Sequence, residues 1–464
     1  MKQKITAQHQ RGVILIYIII IVAVFSVLML PLLDIVSRKM QTLRASVERE
    51  QSLQIAEAGI NYYQWRLAHF QTDYQDGTGQ EGPYVHDYVD FDTQQNIGKF
   101  SLMVTPPLTG STIVTIQSTG WTNANPGVTR TIIAKYGIPS IAKYAFLSND
   151  VIWIGPSENV TGEFHSNNGI RFDGTGNAPI QSTRLTYTCS SSQGSPCPAI
   201  KNGIWGSASQ AVKNFWSFPV PGIDFSSLTA DFSNMKGLAQ TGGIYLPPSN
   251  AQGYSLVFKS DGTIDIFKVT SLTSHQKGWD TNGAVHNEFT VYNARTLLFN
   301  KPMPANGVMY LEDKTWVEGT VNGVATVVAA LLPLNTSTAP TIYIAKNIVY
   351  QAKDGSHSLG LIAQKDVVIS YNAPSNLEIN AAMIAQNGGA QFFYYPNNIK
   401  NNITVFGSIM TFAQWTWTWV NSSGTVLSGY RNTFNNYDSN LLYGPPPSFP
   451  FASSDYQLLS WTSN

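Results

Sequence analysis

Charged side chains are scarce in this chain, because Asp, Glu, Lys and Arg make up only 12% of its 464 residues, against roughly 25% in an average protein. The formal net charge is zero, so no surface charge points to a nucleic acid as partner. The P-loop, nucleophile-elbow, C-x-x-C and H-E-x-x-H patterns are also missing. The sequence therefore predicts no catalytic residue, no metal site and no cofactor.

Cysteine is almost absent as well. The two cysteines, Cys189 and Cys197, are eight residues apart in a stretch rich in Ser, Gly and Pro. In an exported domain they could close a small disulfide ring. Two free thiols are the alternative. A metal site is not expected, since no other Cys or His lies nearby in the sequence.

One stretch alone is long and apolar enough to cross a membrane. Residues 13–33 carry no charge and would form a helix about 31 Å long. A cleaved signal peptide is disfavoured, because the apolar core is too long and no A-x-A site closes it. A plain membrane anchor remains an alternative. Lys and Arg occur on both sides of the run, so the charges do not decide its orientation.

The helical pattern continues beyond the apolar run. From Ile35 to about Phe70 the chain contains one Gly and no Pro, and strong helix formers dominate. Apolar residues recur there at helical spacing, at Met40, Leu43, Val47, Ala56, Ile60, Tyr63, Leu67 and Phe70. The sequence therefore predicts a helix over 13–70 with a transmembrane half and an amphipathic half, kinked at Pro31.

Residues 1–70 resemble the N-terminus of a type IV pilin precursor. Gln10-Arg11-Gly12 before the apolar run, and Ile55-Ala56-Glu57-Ala58-Gly59-Ile60 near the helix end, are similar to the PilX-type minor pilins. The resemblance implies that a prepilin peptidase cuts between Gly12 and Val13, leaving 1–12 as a cytoplasmic leader. It also implies other pilin subunits and the inner-membrane pilus assembly machinery as partners.

Tyr17 departs from the pilin pattern. Typical pilins carry Glu five residues after the cut, where it neutralises the N-terminus of a neighbouring subunit during assembly. This chain has Tyr17 there. In lacking this Glu, the chain resembles the tip subunit of secretion pseudopili, above which no further subunit lies. Tyr17 and Pro31 are therefore the residues of interest for packing within the membrane.

Two β-rich regions follow the helix. Residues 71–138 contain three alternating strand candidates, at 99–105, 112–119 and 128–136, which predict a small antiparallel pilin-like sheet. Beyond Pro139, short apolar runs recur between Gly, Asn and Asp. Similar segments at 344–347, 362–366 and 384–387 are spaced by about 20 residues, which is typical of a parallel β-helix. An antiparallel sandwich is the alternative.

The fold prediction is thus α+β and mostly β. The β-helical body is expected at 139–242 and 301–464, the second part ending in a C-terminal cap, with an inserted antiparallel hairpin unit at 243–300. Segments such as His165-Ser166-Asn167 and Trp316-Val317-Glu318-Gly319 resemble uncharacterised β-rich domains of bacterial surface proteins that carry PilX-type helices. That resemblance implies architecture and location and no chemistry.

An aromatic strip is the strongest surface signal. Trp415, Trp417 and Trp419 alternate with Thr, so a strand would present all three indoles on one face. Such a strip could stack on surface glycans or dock on a partner. The alternative is a capping loop whose aromatic side chains pack on the body.

The function predicted from these features is that of a minor pilin-like surface protein. It would cross the membrane once, with a cytoplasmic N-terminus and an extracellular or periplasmic body. It would enter or initiate a type IV pilus-like filament and display the body, with adhesion as a candidate role. The alternatives are a pseudopilin of a type II-like secretion system and a membrane-anchored polysaccharide lyase or hydrolase. An acid cluster with Lys or Arg in one groove would favour the enzyme.

Overall fold

The structure is a computed structural model that describes residues 10–225, 231–274, 276–281, 283–286, 290–421 and 424–463. Most of the expected leader, at 1–9, lies outside the described residues. The chain divides into two compact units. The first unit holds residues up to Thr105, 115–136 and the residues from Leu458 onward, and the second holds 106–114 and 137–457.

A single helix opens the first unit. Helix α1 extends over Gln10–His69, 60 residues, and continues through Pro31 without interruption. The predicted long N-terminal helix is confirmed, with its end one residue from the expected position. Gly12 and Val13 lie in its first turn.

The sheet of the first unit has five strands. In sheet order they are β1 Tyr84–Val89, β2 Asn96–Thr105, β3 Ile113–Thr122, β4 Thr129–Gly137 and the C-terminal strand Gln457–Ser463. The first three strands pair antiparallel, with Phe100 opposite His86 on one side and Gly120 on the other. The small antiparallel sheet is therefore confirmed. The C-terminal strand lies outside the predicted 71–138, because it comes from the far end of the chain.

The second unit is a β-rich body in which strands from successive coils pair in parallel. The first ladder has this spatial order: Ile244–Leu246, Val308–Leu311, Val324–Ala329, Ser358–Ala363, Asn376–Ala385, Ile399–Thr411, Phe146–Ser148, Phe164–Ser166, Ile180–Ser182 and Trp216–Ser217. Parallel pairing is what a β-helix requires, whereas a sandwich would pair antiparallel. The predicted large β-rich body is confirmed.

Two further ladders form the other sides of the coils. The second ladder contains Gly253–Phe258, Thr315–Val321, Ile342–Tyr350, Val367–Ile369 and Ala390–Gln391. The third ladder contains the end of Ile342–Tyr350, the first parts of Asn376–Ala385 and Ile399–Thr411, then Val426–Tyr437, Glu158–Thr161 and Thr175–Gly176. At the corner between two ladders, Gly407 has φ +151°, and a Cβ there would lie 2.0 Å from the Ala381 carbonyl oxygen.

The coils are stacked in a different order in space from their order in the sequence. Ile409 lies in register with Phe146, so the stretch that comes first in the sequence continues the stack formed by the later one. Trp216–Ser217 and Ile244–Leu246 therefore lie at opposite ends of the first ladder, although they are close in the sequence. The two α-helices of this unit are α2, Gln210–Lys213, and α3, Phe232–Gly242, among the residues that the structure describes.

Alternate residues of the first ladder enter two different cores. Leu311, Ala329 and Leu361 point into the coil, where they join the main hydrophobic core. Their neighbours Tyr310 and Val328 point outward and pack with residues of α3. Both faces of the ladder are therefore buried, which explains why its strands have continuous apolar runs without polar alternation.

The antiparallel insertion begins later than the predicted 243–300 and ends slightly beyond it, at Pro302. Thr263–Leu272 and Tyr292–Pro302 pair antiparallel, and the turn before Thr263 contains Gly262 at φ +80°. Ile244–Leu246 and Gly253–Phe258, however, pair in parallel with the coils. The sequence pattern missed this, because a strand can pair antiparallel on one edge and parallel on the other, as Gly253–Phe258 does.

The remaining strands are short. They are Ile152–Ile154, Ile170–Phe172 and Ile204–Trp205, which pair in parallel, and Thr186–Thr188, Ile200–Asn202, Gly278–Trp279, Val285–His286 and Thr418–Val420, which pair antiparallel. Single turns of 3-10 helix lie at Ile141–Lys143, Ser191–Gln193 and Ser439–Leu442.

Candidate functional site

The first half of α1 presents an apolar surface to its surroundings. The described side chains from Ile14 to Val36 are all exposed, with Tyr17 at 62% and Leu28 at 65%. Burying one such side chain is worth about 1.5–3 kcal/mol, so this surface is unfavourable in water. Among the described residues, α1 is the helix that is long and apolar enough to cross a membrane. Lipid or neighbouring apolar helices are the environments that fit it.

The second half of α1 packs on the sheet of its own unit. Ile55, Ala56, Ile60, Tyr63 and Leu67 are each at most 1% exposed and lie along one helix face. The expected amphipathic strip is therefore present from about residue 52 onward. Other residues of the predicted strip, Met40, Leu43, Val47 and Phe70, are half or more exposed.

Glycine and serine let the helix approach the sheet closely. A Cβ on Gly59 would lie 2.3 Å from Ser118 Oγ and 2.8 Å from the Phe100 ring. A Cβ on Gly98 would lie 2.5 Å from the side chain of Ile55. Ser52 Oγ donates to the Val128 carbonyl at 2.9 Å. Small residues at these contacts bring the two backbones together and fix the helix on the sheet.

A polar cluster closes the end of α1. Arg66 Nε donates to Asp73 Oδ2 at 2.8 Å, and the Tyr63 hydroxyl donates to the Asp73 carbonyl at 2.9 Å. Asp76 accepts from Tyr62 at 2.9 Å and lies 2.7 Å from His86 Nε2. Burial favours neutral Asp73, but the bonds from Arg66 and from backbone N–H groups outweigh it and lower the Asp73 pKa. The cluster ties the helix end to the following loop.

The tryptophan strip is not one exposed face. Trp415 is 6% exposed and Trp417 is 0% exposed, so neither can stack on a glycan. They precede the strand Thr418–Val420 and turn into the core, where Trp415 meets Phe146 at 5.2 Å between ring centroids. Only Trp419 is partly exposed. The prediction of one exposed face from the period-two spacing was wrong, because the strand begins only after Trp417.

The structure joins Cys189 and Cys197 in a disulfide. The loop that it closes covers Arg171, whose guanidinium donates to the carbonyls of Gln193 at 2.6 Å and Ser195 at 3.1 Å. Arg171 also lies over the rings of Trp153 and Trp205, at 4.4 Å and 5.0 Å from their centroids. The disulfide loop therefore covers a cation–π stack on consecutive coils.

A polar cleft of about 370 Å³ lies at one corner of the body. It is lined by Glu312, Asp313, Lys314 and Lys365, among others. Glu312 accepts from Lys236 at 2.6 Å and from the Tyr245 hydroxyl at 2.8 Å. Asp313 Oδ2 accepts from the Ser249 hydroxyl at 2.6 Å. The cleft is the acid and lysine groove that would favour an enzyme, although both carboxylates are already hydrogen-bonded.

His165 and the aspartates of two Asp-Gly turns, Asp173 and Asp261, do not come together in one metal or catalytic site. His165 lies 3.2 Å from Asn167 Oδ1, and burial lowers its pKa. Asp173 accepts from Trp153, Arg171 and Ser207, and Asp261 accepts from Thr263 within its own turn. Across the described ranges, no group of three His, Cys, Asp or Glu side chains could hold a metal ion.

Comparisons with known proteins do not identify a family for this chain. No protein-family model matches the chain. No curated protein matches it either. Among solved structures, the competence-associated pilin ComZ from Thermus thermophilus is similar over 90% of this chain and 97% of its own, at 12% sequence identity and a TM-score of 0.26. With both values this low, the likeness does not establish a shared fold or function.

Proposed function

We propose that this protein is a minor pilin-like subunit, anchored in the inner membrane by α1 and incorporated in or initiating a type IV pilus-like filament. One observation carries the proposal. A single uninterrupted helix exposes apolar residues from Ile14 to Val36 and buries one face of its other half, from Ile55 to Leu67, against a small antiparallel sheet. Such a helix can bundle with neighbours through its exposed half while its packed half carries a folded unit.

The partners follow from this arrangement. The exposed half of α1 would pack against the corresponding helices of other pilin subunits, first in the membrane and then in the filament. A prepilin peptidase would remove residues 1–12, and the inner-membrane assembly machinery would extract the subunit. The body would be displayed outside, where a disulfide such as Cys189–Cys197 can persist.

N-terminal sequencing of protein from purified filaments and from membranes tests the proposal. The mature chain should begin at Val13. Gly12→Leu should leave uncleaved protein in the membrane, because a side chain at this position blocks a peptidase that accepts Gly. Gln8→Leu, which adds a similar apolar side chain within the leader, should be processed normally. Met1 retained on filament-associated protein would reject the proposal.

A pseudopilin of a type II-like secretion system is the nearest alternative and shares the same helix. The two are separated by the phenotype of a chromosomal deletion. Loss of surface filaments with normal secretion supports the pilus subunit, and loss of secretion with normal filaments supports the pseudopilin.

A membrane-anchored polysaccharide lyase or hydrolase is a second candidate, favoured only by the cleft of Glu312, Asp313, Lys314 and Lys365. Carboxylates held by two or more donors are poor general bases, which weakens this candidate. Incubation of the full-length protein with soluble polysaccharides tests it. New reducing ends that disappear in Asp313→Asn would support an enzyme, and unchanged chain lengths would reject one.

A further inference from the structure

We propose that three partly exposed rings of the second unit, those of Trp279, Tyr394 and Trp419, bind a single chain of a neutral polysaccharide. The centroids of Trp279 and Tyr394 are 5.8 Å apart, and those of Tyr394 and Trp419 are 5.7 Å apart. All three side chains are partly exposed. Tyr394 therefore contacts a ring on each side, and the three residues are called here the aromatic row.

Backbone hydrogen bonds fix the aromatic row. The amide of Trp279 donates to the Tyr394 carbonyl at 3.2 Å, and the amide of Tyr394 donates to the Trp279 carbonyl at 2.8 Å. Trp419 Nε1 donates to the Phe392 carbonyl at 2.7 Å. Phe392, at 0% exposure, anchors this segment in the core. Because the backbones of Trp279 and Tyr394 and the indole of Trp419 are already held in place, a ligand loses less free energy by ordering the row.

A glycine allows the strand of Trp279 to lie on the core. A Cβ on Gly278 would lie 2.7 Å from the Tyr395 ring, so a larger residue would push the strand away. On the paired strand, His286 stacks on Phe393 at 4.2 Å between centroids and lies 2.8 Å from Asp280 Oδ2. These contacts secure the position of Trp279 from two sides.

The chemistry of the aromatic row fits sugar rings. Aromatic faces pack against the C–H face of a pyranose, while its hydroxyl groups need polar partners nearby. Lys277 supplies one, with Nζ 5.1 Å from the Trp279 ring centroid, and the Tyr394 hydroxyl supplies another. The spacing between successive rings is comparable to the length of one hexose unit. The row therefore suits about three consecutive sugars.

The local charge and the orientation of the rings limit which class of polysaccharide can bind to the row. Among the residues that the structure describes around the row, Lys277 is the cation that lies over it, and Asp280 lies close to His286. These described charges are too few to favour a polyanion. The planes of successive rings differ by 54° and 63°. A flat crystalline polysaccharide surface cannot contact all three rings face to face. A single soluble chain that twists along its length can.

Adhesion through this row would give the displayed body of the proposed pilin-like subunit a ligand. The binding itself needs neither leader cleavage nor filament assembly. An assay on solubilised protein can therefore fail while the proposed function stands, or succeed while that function is rejected.

Native gel electrophoresis of the detergent-solubilised full-length protein tests the inference, with soluble starch, galactomannan, xyloglucan or laminarin cast in the gel. At least one of these polymers should retard the protein. Trp279→Ala and Tyr394→Ala should each weaken the retardation at least about fivefold, from the loss of one stacking contact. Tyr394→Phe, which keeps the ring, should lose much less. Trp461→Ala, at an exposed tryptophan of the first unit, should bind like the unchanged protein.

A second measurement does not depend on how the variants fold. A retarding polymer should protect Trp279 and Trp419 of the unchanged protein from N-bromosuccinimide oxidation and should leave Trp461 unprotected. Retardation by none of the four polymers would overturn the inference. So would equal protection of Trp461, or binding only to alginate, double-stranded DNA or crystalline cellulose.

Discussion

Gly120 of the sheet lies directly against the backbone of Ala56 in α1. A Cβ on Gly120 would lie 2.4 Å from the Ala56 amide nitrogen and 2.4 Å from the Ser52 carbonyl oxygen. Real Cβ atoms do not approach backbone atoms this closely, so even one methyl group must displace the helix. The close approach fixes the second half of α1 against the sheet of the same unit.

Gly120→Ala should therefore destabilise the first unit. We expect a loss of about 1–3 kcal/mol, because the added methyl group meets backbone that cannot rotate away. Thermal unfolding of the full-length protein in detergent measures this loss of stability, with circular dichroism and the protease sensitivity of the sheet as the two readouts. Gly127→Ala is the matched control, since its Cβ would meet only Asn125 Oδ1 at 3.7 Å. Equal midpoints for the two variants would refute the close contact.

Glu158 in the third ladder should make the body less stable at high pH. Burial raises its pKa to about 8; the hydrogen bond from the Gly155 amide opposes this, and nearby Asp173 adds to it. Between the ordinary value of 4.5 and about 8, the folded state binds a proton that the unfolded state has lost. Stability should thus fall by about 1.4 kcal/mol per pH unit in this window.

Glu158→Gln should abolish this contribution, because an amide can still accept from Gly155 and does not ionise. Its unfolding midpoint should equal that of the unchanged protein near pH 4.5 and exceed it at pH 8. Glu378→Gln is the control, since Glu378 pairs with Lys353 at the surface with its side chain 39% exposed. Parallel pH profiles for Glu158→Gln and the unchanged protein would contradict the prediction.

Local periodicity predicted the elements that depend on local packing. The spacing of Ala56, Ile60, Tyr63 and Leu67 correctly identified the buried face of α1, since 3.6-residue periodicity places them in one line. The same reasoning failed for Met40, Leu43 and Val47, which are apolar and regularly spaced but exposed. Spacing shows that a helix has an apolar face, and it does not show where the sheet that covers that face ends.

The pairing of strands that are far apart in the chain could not be predicted from the sequence. Nothing local shows that Phe146 continues the ladder after Ile409, or that residues from 457 onward add a strand beside β4. The aromatic row was missed for the same reason, because Trp279 and Tyr394 are far apart in the chain. The local signal was weak: Trp279 lies within the predicted insertion, just before Asp280 and a Gly at 283. The alternating tryptophans drew attention instead to Trp415 and Trp417, which are core residues.

The Cys189–Cys197 disulfide should hold its loop over Arg171. Cys189→Ser together with Cys197→Ser should destabilise the loop by about 2–3 kcal/mol, as expected for a short closed ring. Faster hydrogen exchange at the backbone amide of Gln193, which donates to the Ser190 carbonyl at 2.9 Å, measures this opening. Reduction with dithiothreitol should reproduce the effect in the unchanged protein and add nothing in the double variant. Unchanged exchange in both cases would show that the loop is held without the disulfide.

Tyr17 should decide where the protein sits in a filament. In the proposed pilin-like subunit it stands where typical pilins carry the acid that neutralises the N-terminus of a neighbouring subunit, and the residue is 62% exposed on α1. Apolar helix packing does not need that acid, so the helix can still join a bundle from one side. A subunit with no neighbour above it has no amine to neutralise. We therefore expect this protein at filament tips, where it initiates assembly.

Gold labelling of the body along isolated filaments measures the position. Label should appear at one end in the unchanged protein. Tyr17→Glu should restore the missing carboxylate and distribute label along the shaft, whereas Tyr17→Gln, similar in size but uncharged, should leave label at the end. Regular label along the shaft of unchanged filaments would reject tip placement. Label confined to the end in Tyr17→Glu would show that the large body, and not residue 17, prevents further subunits from adding above it.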